Sequence, residues 1–199
     1  VKGSLFASVV RVFSMKFHKM INVYKNVYAF ITPSEFLKNK LALNGFEEKR
    51  IHCIPTFTAS KTTIGEQQIG SYGLYFGRVT EEKGVETVIK AYEKLPEYTV
   101  KIMGDDTTDE AKRLKKYVEN HKMKNVEFLG FKSGEELENV IKGARFTLIP
   151  SIWYDNLPNT ALESFQYSKP VIASNIGSLP ELVIDGENGY LFKPSNVED

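Results

Sequence analysis

Residues 72–84 read Tyr-Gly-Leu-Tyr-Phe-Gly-Arg-Val-Thr-Glu-Glu-Lys-Gly, an apolar run that ends at a glycine and an arginine and leads into a helical stretch. A short apolar run with such bounds predicts a buried strand. Further runs of this kind follow at 99–103, 126–129, 146–149, 171–173 and 190–192. Helical stretches separate them at 84–95, 108–121, 134–142, 158–167 and 178–184. This alternation requires parallel strands joined by right-handed crossovers. We therefore predict an α/β fold with a Rossmann-like, doubly wound parallel sheet.

The chain before residue 71 has a different organisation. Apolar residues at helical spacing predict one amphipathic helix over 4–26. A strand at 27–32, a helix from Pro33-Ser34 to Asn44 and a strand at 50–55 then predict a β-α-β fragment. Residues 56–70 are polar and lack periodicity, which indicates a linker. The predicted domains are 1–55, the end of one domain, then the linker 56–70, and 71–199, a second domain that is incomplete at its C-terminus.

Composition excludes several protein classes. The chain has 199 residues, of which 42% are hydrophobic and 26% charged, and these values argue against disorder and coiled coils. Its single cysteine, Cys53, excludes an intramolecular disulfide framework and suits a reducing compartment. No apolar run approaches the roughly 18 residues of a spanning helix, and no signal-peptide layout is present. We expect a cytoplasmic location. Since the chain opens at Val1, we also expect it to be part of a longer protein.

The charge is distributed unevenly along the chain. Residues 1–34 contain five basic residues and no acid, although the net charge of the whole chain is only +1. The basic residues are Lys2, Arg11, Lys16, Lys19 and Lys25. A basic helix with an apolar face is typical of interfacial helices, so one hypothesis is that residues 4–26 contact the inner face of an anionic membrane. The alternative is that its apolar face packs within its own domain. We expect no nucleic-acid partner.

Ligands of such sheets bind beyond the carboxyl ends of the strands. The loop 77–84 lies at one of these ends and carries Arg78 and Lys83. A forked guanidinium and a compact ammonium suit an anion with several oxygens. The alternative is that both cations are exposed and balanced by Glu81 and Glu82.

The loop 150–157 leaves another strand end and enters a helix with Pro158 at its start. The free NH groups of a helix's first turn form an anion site. Asp155 and Glu163 are suited to paired hydroxyl groups of a ligand. The alternatives are that Asp155 or Asn156 caps the helix and that Glu163 is a surface acid.

Other candidate sites are weaker. The acids of Gly-Asp-Asp at 104–106, with Asp109 nearby, have no accompanying histidine. We interpret them as acids at a helix start, where they complement the helix dipole. The histidines are scattered at 18, 52 and 121, so no catalytic triad or metal set is visible. Cys53 lies in an apolar strand pattern, where small buried thiols are ordinary. The sequence implies no metal.

These motifs together resemble the donor-binding half of family 4 retaining glycosyltransferases, which have the GT-B fold. The resemblance rests on the 77–84 loop, on Gly130-Phe131 and Pro150-Ser151, and on Asp155 eight residues before Glu163 with Pro158-Asn159 between them. It also rests on the segments 169–173, 180–183 and 186–189. Residues 33–36, 45–46 and 54–55 resemble the end of the acceptor domain. The resemblance covers residues 27–193.

The resemblance implies roles for individual residues. Arg78 and Lys83 would hold the donor diphosphate and stabilise it as a leaving group, and Asp155 would contact the transferred sugar. The family usually has glutamate at the Asp155 position, and a carboxylate one methylene shorter changes its reach. The remaining roles are substrate contacts: Glu163 with the ribose hydroxyls, Asn159 and Thr160 with the phosphates, Asn156 within the same loop, and Gly130 and Phe131 with the base. The resemblance implies no cofactor and no metal.

The leading hypothesis is a transferase that moves a hexosyl unit from a nucleotide diphosphate sugar to a glycan or lipid-linked acceptor with retention. Because most of the acceptor half is absent, we expect residues 1–199 alone to bind nucleotide and turn over little or nothing. Two alternatives share the fold: a non-catalytic nucleotide-sugar-binding module and a GT-B nucleotide-sugar epimerase. Activity of the full-length protein, and product analysis on donor alone, would discriminate them.

Overall fold

The computed structural model of the chain describes residues 4–58 and 69–199. The N-terminal part contains helix α1 (Leu5–Met20), strand β1 (Phe30–Thr32), helix α2 (Glu35–Leu43) and strand β2 (Ile51–Cys53). Strands β1 and β2 pair in parallel over three residues each and form a small sheet of their own. This confirms the predicted β-α-β fragment, although both strands are shorter than expected. Most of the predicted linker, residues 59–68, lies outside the described residues.

The prediction of one continuous helix over residues 4–26 is wrong at its C-terminal end. Ser4 caps the helix by accepting a hydrogen bond from the amide of Ala7, but α1 ends at Met20. Asn22 then adopts a left-handed conformation with φ of 52°, and a short 3-10 turn follows at Val23–Asn26. Asparagine adopts this conformation more readily than most residues. The apolar spacing continues beyond Met20 although the helix ends there, so the spacing alone did not indicate the break.

A six-stranded parallel sheet follows. Its strands are β3 (Tyr72–Phe76), β4 (Val100–Met103), β5 (Val126–Gly130), β6 (Ala144–Ile149), β7 (Val171–Ser174) and β8 (Gly189–Phe192). The connecting helices are α3 (Val85–Glu93), α4 (Asp109–Asn120), α5 (Gly134–Gly143), α6 (Asn159–Gln166) and α7 (Leu179–Leu182). The strand order is β5-β4-β3-β6-β7-β8, and every neighbouring pair is parallel. This is the doubly wound topology, so the predicted α/β, Rossmann-like fold is confirmed.

Strand β3 shows why both faces of the sheet are covered. Side chains alternate between the two faces of a strand, and here Leu74 and Phe76 pack in one apolar cluster while Tyr75 packs in another. Ile141 of α5 belongs to the first cluster and Ile89 of α3 to the second. A strand buried on both faces reads as an unbroken apolar run instead of an alternating one. For this reason the unbroken apolar run at residues 72–76 correctly predicted a strand.

Candidate functional site

The central strands β3 and β6 lie at the point where the chain reverses its direction across the sheet. From β3 the chain moves to β4 and β5 on one side, and from β6 it moves to β7 and β8 on the other. The two loops that leave the carboxyl ends of β3 and β6 therefore diverge, and a crevice opens between them. A cleft of about 320 Å³ occupies this position.

Most of the predicted site residues line this cleft. Both cations of the β3 loop and four residues around the start of α6 are present: Arg78, Lys83, Asp155, Asn156, Asn159 and Thr160. These residues come from two loops that are far apart in sequence, and the sheet brings them together. Glu163, Gly130 and Phe131 are not among the residues that line it.

An ion pair joins the two loops across the cleft. The Nζ of Lys83 lies 2.6 Å from Oδ1 of Asp155, and the two side chains are only 20% and 15% exposed. The Ser151 hydroxyl donates a hydrogen bond to the other oxygen, Oδ2, of Asp155. Lys83 thus pairs with Asp155 rather than with the acids next to it in sequence. The alternative interpretation, in which both cations are exposed, is therefore wrong for Lys83, whereas Arg78 is exposed as that interpretation stated.

Helix α6 begins without a side-chain cap. Its N-cap position is Pro158, which makes no side-chain hydrogen bond, so neither Asp155 nor Asn156 caps the helix as the alternative interpretation proposed. Asn159 and Thr160 occupy the first turn and line the cleft. The amides of a first turn have no partner within the helix. The start of α6 therefore presents hydrogen-bond donors and a positive dipole end toward the cleft.

Close backbone contacts join the 77–84 loop to the 150–157 loop. The amide of Ile152 donates to the carbonyl oxygen of Glu82 over 3.1 Å. Gly84 has a φ of +68°, and a Cβ at this position would lie only 2.0 Å from the carbonyl oxygen of Pro150. Only glycine allows both the left-handed conformation and this close approach. Gly84 therefore decides how near Lys83 comes to Asp155.

Two hydroxyl groups that the sequence analysis did not identify form hydrogen bonds with the backbone of the two loops. Tyr75 donates from its phenol to the carbonyl oxygen of Arg78 over 2.5 Å, and burial raises the pKa of this tyrosine, so the phenol keeps its proton. The fully buried Ser178 donates to the carbonyl oxygen of Asp155 and accepts from the amide of Leu157. In the sequence, Tyr75 belongs to an apolar run that is typical of a protein core. No motif around Ser178 indicates that it binds the backbone of the Asp155 loop.

Glu163 lies one turn further along α6 and is half-buried. Burial raises the pKa of its carboxyl group, and no charge or hydrogen bond from the described residues offsets this effect. A surface acid would not show such a shift. Because its side chain is half-buried, Glu163 is not the surface acid of the alternative interpretation. Its predicted contact with a ribose stays a prediction.

Gly130 and Phe131 lie at the carboxyl end of β5, two strands away from β3. Gly130 has a φ of +70°, and its missing Cβ would face the Asp106 carboxylate at about 3.8 Å. Phe131 is 75% exposed, so its ring is available to a ligand. The predicted contact of this pair with a base stays a prediction.

Of the acids predicted to lie at a helix start, Asp105 and Asp106 precede α4, and only Asp109 lies in its first turn. The first-turn acids of α4 are Asp109 and Glu110, and its N-cap is Thr108. Asp106 instead pairs with Lys115 over 2.5 Å. Within residues 4–58 and 69–199, no group of three or more histidine, cysteine, aspartate or glutamate side chains is placed to hold a metal ion.

The family model of the glycosyl transferases group 1 matches residues 63–199 of the chain. The chain belongs to this family. The matched segment contains both cleft loops and the whole six-stranded sheet.

Curated members of the family resemble the chain over most of its length. An uncharacterized glycosyltransferase of Methanocaldococcus jannaschii is 29% identical over 170 residues, which is 85% of this chain and 46% of that relative. A second uncharacterized glycosyltransferase of the same organism is 30% identical, and the match covers 100% of this chain and 47% of that relative. The chain therefore spans about half the length of the curated relatives it matches.

Solved glycosyltransferase structures share the fold. HepE of Anabaena, in complex with UDP and glucose, matches with a TM-score of 0.75 at 21% identity, over 86% of this chain and 50% of HepE. A glycosyltransferase of Rickettsia africae matches with a TM-score of 0.78 at 20% identity, over 89% of this chain and 53% of that protein. The GT-B-type, Rossmann-like architecture is thus common to this chain and to these proteins.

Helix α1 exposes many apolar side chains. None of its residues is buried against the described part of the chain, and Leu5, Phe6, Phe13 and Met20 are all at least 70% exposed. Among the described residues, no helix has the length and apolar character needed to cross a membrane.

Proposed function

We propose that the whole protein transfers a hexosyl unit from a nucleoside diphosphate sugar to a glycan or lipid-linked acceptor, with retention at the anomeric carbon. The observation that carries the proposal is the cleft at the switch point, where Arg78, the Lys83–Asp155 ion pair and the start of α6 converge. The family membership supports a glycosyltransferase, and HepE, which shares the fold, binds UDP and glucose.

The cleft is suited to a diphosphate next to a sugar. Arg78 and Lys83 supply positive charge, and the amides at the start of α6 supply further donors for phosphate oxygens. A bound diphosphate takes over Lys83 from Asp155. The released carboxylate then accepts hydrogen bonds from hydroxyl groups of the sugar. Without a donor, Lys83 and Asp155 thus neutralise each other in a partly buried site. When the donor binds, its phosphate and sugar groups replace this contact.

The chemistry requires stabilisation of the leaving group. The bond between the anomeric carbon and the β-phosphate oxygen breaks, and the electron pair stays on the diphosphate. The acceptor hydroxyl oxygen forms the new bond at the same face of the sugar and gives up its proton to the departing phosphate. Groups arranged in advance around developing charge contribute up to a few kcal/mol each. In this proposal Arg78 and Lys83 have that role, and no protein side chain forms a covalent intermediate.

A panel of nucleoside diphosphates tests the proposal. Calorimetric titration of the 199-residue chain should show saturable binding of at least one of UDP, GDP and ADP, and the preferred base identifies the donor class. Absence of binding by all three at millimolar concentration would rule out a donor site in this cleft.

Glu163→Gln is expected to weaken nucleotide binding about tenfold, equivalent to about 1.4 kcal/mol. The amide keeps the volume of the side chain but replaces an acceptor of ribose hydroxyl protons by a donor. Pyrophosphate, which has no ribose, should bind the variant as it binds the original protein. Calorimetry with both ligands measures the difference.

The stability of the same variant provides the control. Because the pKa of Glu163 is raised in the fold, stability falls as the pH rises from the ordinary glutamate pKa to the raised one and stays lower above it. Glutamine removes this cost, so Glu163→Gln should be at least as stable as the original chain at alkaline pH. A large loss of stability, or equal losses for nucleotide and pyrophosphate, would assign Glu163 a structural role.

We further propose that residues 1–55 belong to the acceptor-side domain, that residues 56–70 form the connection and that residues 71–199 belong to the donor domain. The separate two-stranded sheet of β1 and β2 supports this division. The proposed location of the whole protein is the cytoplasm.

Helix α1 has two possible partners in the whole protein, an anionic membrane or the rest of the acceptor-side domain. Its exposed apolar residues lie mainly on one broad face, opposite Arg11 and His18, and a broad apolar face is typical of a helix that packs on a protein core. This favours packing. Sedimentation of the whole protein with anionic phosphatidylserine vesicles should therefore leave it in the supernatant. If the protein pellets at low salt and is released as ionic strength rises, the membrane hypothesis is correct.

A further inference from the structure

Glu181, on the short helix α7, contacts the start of α2 across a long separation in sequence. Its two carboxylate oxygens accept hydrogen bonds from the amides of Glu35 and Phe36, over 2.8 and 2.6 Å. These are the first two residues of α2, whose amides have no partner within the helix. The carboxylate therefore satisfies both amides and meets the positive end of the helix dipole. This contact joins residues that are 146 and 145 positions apart.

The loop that carries Asp155 contacts the same helix on both sides of that residue. On one side, the hydroxyl of Ser34 donates to Oδ1 of Asn156 over 3.0 Å. Ser34 is buried and also caps α2, since its oxygen accepts from the amide of Leu37. The hydroxyl proton is therefore directed to Asn156, and the hydrogen bond has a defined direction.

On the other side, an aromatic contact joins the loop to α2. The rings of Tyr154 and Phe36 lie 5.1 Å apart. The Nζ of Lys40 lies 5.0 Å from the Tyr154 ring and 5.4 Å from the Phe36 ring, so one cation contacts both aromatic faces. Such contacts add attraction beyond the burial of area.

Asp155 thus lies between two residues that are both held by α2. We propose that Tyr154, Asn156 and Glu181 are positioning residues, which together with Ser34, Phe36 and Lys40 form a latch between the N-terminal unit (residues 30–53) and the Asp155 loop. The latch holds Asp155 toward Lys83 and, with donor bound, toward the sugar. The last step rests on the proposed function. The N-terminal unit therefore controls sugar recognition without touching the donor.

The consequence for binding is selective. Arg78 and Lys83 lie on the β3 loop, which is held by Tyr75 and by the close approach of Gly84, and the latch does not contact these supports. Opening the latch should not weaken nucleoside diphosphate binding, because it leaves both cations in place and can only lessen the competition of Asp155 for Lys83. It should reduce the additional affinity that the sugar contributes, because that part depends on the placement of Asp155.

The first arm of the test needs no ligand. Trp153 is the only tryptophan of the 199-residue chain, and it precedes Tyr154 in the loop. Loop motions on the nanosecond scale appear in the time-resolved fluorescence anisotropy of such a residue. Glu181→Gln, Asn156→Ala and Ser34→Ala should each increase the amplitude of the fast component. Glu187→Gln, an exposed change outside the latch, is the matched control and should leave the decay unchanged.

The second arm compares UDP with UDP-glucose by calorimetry. Glu181→Gln should reduce the ratio of the UDP-glucose affinity to the UDP affinity roughly 3- to 10-fold, in line with the coupling of residues in one contact network, without weakening the binding of UDP. In an Asp155→Asn background, the same change should have no further effect on the ratio, because the latch acts through Asp155. A structural role alone would lower both affinities and would remain additive with Asp155→Asn.

The outcomes separate this inference from the proposed function. An unchanged anisotropy decay in Glu181→Gln and Asn156→Ala overturns the latch, whatever the chain binds. A changed decay with an unchanged affinity ratio overturns the positioning role. If the original chain binds neither ligand while the decay responds as expected, the proposed function fails and the mechanical latch stands. Only Ser34→Ala also removes the cap of α2. If Asn156→Ala and Ser34→Ala change the anisotropy decay equally, the change is therefore caused by loss of the hydrogen bond between the two side chains.

Discussion

Gly84→Ala is expected to lower the free energy of unfolding by more than any other single change in the cleft. The left-handed conformation, with φ of +68°, costs a non-glycine residue about 1–3 kcal/mol. The added methyl group would also lie 2.0 Å from the carbonyl oxygen of Pro150, and forcing such groups apart costs about 1–3 kcal/mol more. Chemical denaturation of the 199-residue chain should therefore show a loss of roughly 2–6 kcal/mol.

Gly134→Ala is the matched control for this change. Gly134 has a similar φ of +57°, but a Cβ there would meet nothing within 4 Å. Its loss should be limited to the backbone contribution of about 1–3 kcal/mol. Equal losses in the two variants would show that the approach of Gly84 to Pro150 does not hold the loops together. A Gly84→Ala protein that remains folded should also bind nucleoside diphosphate more weakly, since the loops carrying Lys83 and Asp155 would move apart.

Lys83→Ala is expected to have the largest effect on nucleotide binding. Loss of one charge-assisted contact costs about 1.5–3 kcal/mol, which corresponds to a decrease in nucleoside diphosphate affinity of roughly 10- to 150-fold. Arg78→Ala should act in the same direction. Lys90→Ala serves as the control, because Lys90 pairs with Glu86 on the surface of α3 and lies outside the cleft. Unchanged affinity in both cleft variants, measured by calorimetry, would refute the phosphate assignment.

Asp155→Asn should change the affinity for nucleoside diphosphate in the opposite direction to Lys83→Ala. The carboxylate competes with a diphosphate for Lys83 and repels it. Asparagine removes both effects, so UDP should bind more tightly while the extra affinity for UDP-glucose decreases. A parallel decrease for both ligands would mean that Asp155 supports the loop without contacting the sugar.

The alternation of short apolar runs with helical stretches was sufficient to predict the sheet. Residues 72–76 are buried on both faces, so their apolar run is unbroken and matches β3 residue for residue. Parallel strands bring their carboxyl ends to one edge, and for that reason Arg78, Lys83 and Asp155 could be placed at one site from sequence. The break after α1 could not be predicted, because Asn22 interrupts the helix through its backbone conformation while the apolar spacing continues.

The sequence by itself thus determined the fold class, the edge of the sheet where the candidate site lies and the charges available there. Periodicity and local turn residues encode which side chains are buried and where each strand ends. Only the tertiary structure decided which of these groups are partners. Lys83 and Asp155 are 72 residues apart, and Ser34 and Asn156 are 122 apart. These contacts depend on the packing of loops from different strands to within a hydrogen-bond length, and no local pattern in the chain specifies such a distance.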